Sequence, residues 1–93
     1  MNFIKIYTHP EYTGFAVIEF NDFTKSRKDA FIRKSDIRSC NTANDENNEQ
    51  VEVVFNNGDM FLMNYKAIFE IDGDTNISSQ IILRDKLRTL MAT

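Results

Sequence analysis

The chain has 93 residues, 42% hydrophobic and 27% charged, with a net charge of −3. That mix describes one small domain, residues 1–93, built on a single core, and it excludes a disordered or fibrous chain. No apolar run reaches the ~18 residues of a membrane span, no leader pattern is visible, and the lone Cys40 rules out an internal disulfide framework, so a reducing, cytoplasmic setting without membrane contact is expected.

Phe3–Tyr7 is β-branched and aromatic and reads as a strand. Thr8-His9-Pro10-Glu11 breaks it, because proline lacks an N–H and biases His9 toward extended backbone. Phe15–Phe20 is the second strand, and the polar, basic stretch 23–29 around Phe23 reads as a loop. Ala30–Lys34 is a short strand, Ser35-Asp36 a bulge or turn, and Ile37–Cys40 a fourth strand. Residues 41–50 contain no aliphatic side chain larger than alanine, which predicts a mobile acidic, Asn-rich loop.

Val51–Phe55 and Met60–Met63 flank Asn56-Asn57-Gly58-Asp59, a hairpin signal. A two-residue type I′ turn at Asn57-Gly58 predicts Phe55 opposite Met60, Val53 opposite Leu62 and Val51 opposite Asn64 on one face. The other face then holds Val54 opposite Phe61 and Glu52 opposite Met63. Val54, Phe61 and Met63 are too apolar for a solvent face, so they form the candidate protein-binding surface.

Tyr65–Ile71 reads equally as a helical turn or a strand, and Asp72-Gly73-Asp74 as a turn. From Asn76 onward, Ile77, Ile81, Leu83, Leu87, Leu90 and Met91 share half of a helical wheel, with Ile82 outside it. This predicts a helix over 78–91 capped by Ser78 or Asn76; a strand at 80–83 is the alternative. The fold class expected is α+β: a mostly antiparallel five- or six-stranded sheet or open roll with one C-terminal helix.

Phe31–Ile37 followed by Val51–Phe61 has the form strand, Asp-Ile, strand, Asn-Gly turn, strand, and locally resembles the flagellar FlbD proteins and the LytTR DNA-binding domains. The likeness covers about a third of the chain, and no functional residue is carried over from it.

The motifs give little chemistry. His9 and Cys40 are the only nucleophile–base candidates, and a lone cysteine is more often a small core hydrophobe. Asp72-Gly73-Asp74-Thr75-Asn76 begins like a calcium loop, but Ile77 replaces the sixth-position glycine and Leu83 the twelfth-position glutamate. No enzyme, metal, cofactor or small-molecule substrate is expected.

Charge is segregated instead. Residues 25–38 hold six cations against two acids, a balance of +4, while 41–74 hold eight acids against Lys66, a balance of −7. Lys25, Arg27, Lys28, Arg33, Lys34 and Arg38 form the candidate cationic patch, with Phe23 and Phe31 as rings able to stack on bases. Against nucleic acid stand the pI near 5.0 and a core role for Phe31. The function expected is a non-enzymatic protein-binding or assembly module. It would be a small viral or mobile-element protein that binds a host factor, or a minor structural subunit, with self-association slightly favoured. The alternative is a small nucleic-acid-binding regulator using 25–38.

Overall fold

Runs of β-branched and aromatic residues become seven strands in the structure, a computed structural model that describes residues 4–20 and 29–93. They are β1 (Ile4–Thr8), β2 (Phe15–Phe20), β3 (Ala30–Arg33), β4 (Ile37–Thr42), β5 (Gln50–Phe55), β6 (Met60–Asn64) and β7 (Ile68–Ile71), followed by one helix, α1 (Gln80–Ala92). The α+β expectation holds, with the strands divided between two sheets, β3-β2-β1-β7 and β4-β5-β6. All pairings are antiparallel except β1 with β7, which is parallel and irregular between Ile4 and Lys5.

Two similar connections join the sheets edge to edge. β3 enters β4 through a 3-10 turn at Lys34–Asp36, and β6 enters β7 through another at Tyr65–Ala67. Each turn is flanked by extended residues, and its closing isoleucine, Ile37 or Ile68, donates its N–H to the first residue of the turn. In the second, Asn64 accepts from the Lys66 N–H through its side chain, the local bond that favours Asn at turn starts. Tyr65–Ile71 is therefore both things its sequence suggested, a helical turn and then a strand. The two connections roll the sheets around one core.

That core takes Ile6, Ala16, Ile18, Ile68 and Ile71 from the four-stranded sheet and Cys40, Val51, Val53 and Met63 from the other. Leu83, Leu87 and Leu90 of α1 complete it. Ser79 caps α1, its side chain accepting from the Ile82 N–H, in place of Ser78 or Asn76. The buried helix positions are Gln80, Leu83, Leu87 and Leu90, whereas Ile81 is exposed. The inward stripe thus begins on a glutamine and leaves Ile81 outside it. Arg88 Nε donates to the Cys40 carbonyl at 2.7 Å and its Nη2 to Asn41 Oδ1 at 3.0 Å, so α1 covers the outer edge of β4.

The acidic loop is shorter than expected and tied down. β4 runs to Thr42, Asp45 accepts from the Glu49 and Gln50 N–H groups, and Gln80 Nε2 donates to the Ala43 and Gln50 carbonyls.

Candidate binding surfaces

The β5–β6 hairpin forms where expected but closes differently. Gly58 N–H donates to the Phe55 carbonyl and Phe55 N–H to the Asp59 carbonyl, at 3.0 and 2.7 Å. Gly58 has φ +93°, and neither Asn56 nor Asn57 has positive φ. The loop is therefore three residues long, Asn56-Asn57-Gly58, with glycine in the left-handed position. The type I′ chemistry appears instead at Asp72-Gly73, with φ values of +48° and +83° and reciprocal bonds between Ile71 and Asp74.

One extra loop residue shifts the register by one and turns β6 over. The pairs are Val54 with Met60, Val53 with Phe61, Glu52 with Leu62, and Val51 with Met63. Phe61 and Met63 thus face the core with Val53 and Val51, and Phe61 packs against Phe55 at 5.6 Å between ring centroids. The candidate set Val54, Phe61 and Met63 does not share a face. The outward side carries Val54 opposite Met60 and Glu52 opposite Leu62, with Met60 and Leu62 53% and 49% exposed.

β6 also presents an unpaired edge. Because Phe55 and Asp59 are a bonded pair, the alternation makes Val53–Phe61 and Val51–Met63 bonded pairs as well. The N–H and C=O groups of Met60, Leu62 and Asn64 then point away from β5. No neighbouring strand among the described residues pairs with that side, and no further backbone bond engages Met60 or Leu62. The strand Met60-Phe61-Leu62-Met63-Asn64 carries no charge and no proline, the usual guards of an open edge.

A second surface lies on the outward face of the four-stranded sheet. Phe31, which the sequence allows either as a core residue or as a ring open to stacking, is 65% exposed. It sits opposite Val17, while Arg33 sits opposite Phe15 with its guanidinium 5.5 Å from that ring's centroid. His9 packs edge-on to Phe31 at 5.5 Å and lies 5.0 Å from Tyr12. At the far edge Lys5 stands 5.8 Å from the Phe69 ring. Between them Tyr7 donates its hydroxyl to Glu19, which holds the phenol above its ordinary pKa. Strict period-two alternation in Phe15-Ala16-Val17-Ile18 was the available signal: if Ala16 and Ile18 face the core, Phe15 and Val17 lie on the other side of the sheet, where Val17 is buried and Phe15 half-buried.

The described members of the candidate cationic patch, Arg33, Lys34 and Arg38, do not share one surface. Lys25, Arg27 and Lys28, with Phe23, lie outside the described residues. Lys34 is buried, its ammonium donating to Thr8 Oγ1 and Thr93 Oγ1 at 2.8 and 3.0 Å. Arg33 lies over Phe15 on the aromatic face, and Arg38 is exposed on β4 at the irregularity between Ile37 and Ser39.

The remaining polar chemistry is internal. Cys40 is buried, and burial pushes its thiol up, away from a nucleophilic thiolate. His9 Nδ1 accepts from the Glu11 and Tyr12 N–H groups, which places the proton of the neutral ring on Nε2. A cavity of about 380 Å³ beside Asp72, Asp74, Asp85 and Lys86 is acidic. Its carboxylates are engaged by the Thr8 N–H, by Lys86 and by Arg84 respectively. No cluster of metal-ligating side chains occurs among the described residues, and no helix there is long and apolar enough to cross a membrane. No protein family, curated protein or solved structure matches this chain.

Proposed function

We propose that the chain is a non-enzymatic protein-interaction and assembly module that takes up an extended protein strand along β6. The observation that carries this is the open, uncharged edge of β6 with Met60 and Leu62 about half exposed beside it. Strand addition uses such an edge directly: main-chain bonds supply affinity and alternate side chains supply specificity. A binder of a host factor and a minor structural subunit would both work through this surface.

A labelled peptide with the sequence of residues 58–66 probes whether the edge accepts a strand, with the protein diluted to its monomer. Saturable binding that slows amide exchange at Met60 and Leu62 is the expected result. Leu62→Lys should weaken it at least about tenfold, because a lysine on an edge strand guards it against pairing, while circular dichroism stays unchanged. Absence of saturable binding to the folded protein would overturn the reading.

The exposure of Phe31 favours a second reading, single-stranded nucleic acid on the aromatic face. Rings interleaved with cations stack bases regardless of sequence. Fluorescence anisotropy with a labelled oligothymidine at low salt decides it: salt-sensitive binding lost in Phe31→Ala and Arg33→Ala supports this reading, and no binding at low salt ends it.

A further inference from the structure

Resting on the strand-addition reading, we infer that the occupant of the β6 edge is β6 of a second copy of this chain, paired antiparallel about a two-fold axis at Leu62. Parity and length fix the register. Only Met60, Leu62 and Asn64 turn main-chain groups outward, so a bonded pairing must match these residues with one another. Centring on Leu62 uses all three, with Leu62 opposite its own mate and Met60 opposite Asn64. Centring on Met60 or Asn64 instead runs the strand into the Asn56-Asn57-Gly58 loop or the Tyr65–Ala67 turn. The Leu62 register supplies about four to six main-chain hydrogen bonds, two per bonded pair.

The ends of the strand are complementary in the same register. Asp59 precedes β6 and Lys66 follows it, both exposed, with the Lys66 ammonium also paired to Glu49 of its own chain. Antiparallel pairing about Leu62 brings each Asp59 to the Lys66 end of the other copy; a parallel pairing would set like charges together. Leu62 meets Leu62 at the axis with Glu52 beside it on each β5, and the Met60–Val54 pair lies next along the strand, so two three-stranded sheets become one six-stranded sheet. The contact is isologous and closes on itself, giving a dimer and no filament.

Cysteine pairing tests the register. Leu62→Cys should form a disulfide-linked dimer under mild oxidation, because bonded antiparallel residues sit about 5.5 Å apart between Cα atoms, within disulfide reach. Met60→Cys alone should not, since the two copies of residue 60 lie roughly 13 Å apart in this register, four residues along the strand. Mixing Met60→Cys with Asn64→Cys should cross-link the pair. The wild type, whose Cys40 is buried, should remain unlinked. Light scattering should give a dimer mass for wild type and a monomer for folded Leu62→Lys. A wild type that is monomeric at every concentration, with no Leu62→Cys link, overturns the inference, and so does a Met60→Cys link as ready as that of Leu62→Cys. If the 58–66 peptide still binds in either case, the self-pairing fails and strand addition stands; if the peptide fails as well, both fall.

Discussion

Gln80 shows how one residue departs from its pattern for a physical reason. The helical wheel marks Ile81 as inward-facing, yet Ile81 is 54% exposed and Gln80 is 8% exposed. The glutamine amide reaches what an isoleucine could not satisfy: the carbonyls of Ala43 at 3.0 Å and Gln50 at 2.6 Å, where the acidic loop leaves and rejoins the sheet. Buried carbonyls need a donor, and a hydropathy pattern is blind to that need. Lys34 is the parallel case. Its side chain reads as part of a solvated cationic run, but the ammonium is inside, held by two hydroxyls, and one of them, that of Thr93, donates in turn to the Leu90 carbonyl in the last turn of α1. A cation beside a helix C-terminus is favourably placed against the helix dipole. Gln80→Ala should cost about 1–3 kcal/mol, the range for stranding buried polar groups, read as a lower urea midpoint. Gln80→Leu discriminates: it restores the apolar stripe, so a gain in stability would show that stripe packing outweighs the loop carbonyls, whereas a loss comparable to that of Gln80→Ala is expected.

Elements were largely legible, because period and turn residues are local. The sequence marks β1 to β6, the hairpin and the C-terminal helix to within a few residues. Register was not legible, because it depends on loop length and one residue reverses a strand. Asn57-Gly58 satisfies both a two-residue and a three-residue turn, and the difference put Phe61 and Met63 on the wrong face. Glycine conformation tests the turn assignments. A side chain added at Gly58, Gly73 or Gly14 meets nothing within 4 Å, so only backbone conformation separates them. Gly58→Ala and Gly73→Ala should each lose about 1–2 kcal/mol for a left-handed L-residue. Gly14 is not in the left-handed region, and Gly14→Ala should be neutral or stabilising by up to about 1 kcal/mol through the unfolded chain. Equal effects at all three would contradict both turns in thermal melts.

At the scale of the molecule, the sequence supported a sheet and a helix but not the division into two sheets, which depends on two short polar turns that rotate the chain from edge to edge. The charge blocks likewise resolve only in three dimensions. Within the acidic block Glu49 pairs with Lys66, and Asp74 reaches forward to Lys86 on α1. The Glu49 N–H bond holds Asp45 below the usual carboxylate range, the Lys66 bond does the same for Glu49, and the Lys86 bond for Asp74. All three shifts have one sign. The unfolded chain takes up these protons at higher pH than the folded chain, so the stability they contribute is complete above the ordinary carboxylate values of about 4 and is lost as pH falls through the depressed folded values. Urea midpoints should be level from pH 7 to 5 and fall as the pH drops below about 4. Asp45→Asn keeps the shape but not the charge, so it should lower the pH 7 midpoint and flatten the acid limb. Lys86→Met should flatten it through Asp74 without touching the loop. On the alkaline side, burial raises the Cys40 thiol, so the unfolded thiol ionises first and stability should decline above about pH 8.5. If the acid limb of wild type is as flat as that of Asp45→Asn, then Asp45 does not hold the 43–49 loop, and Gln80 alone anchors it to the helix.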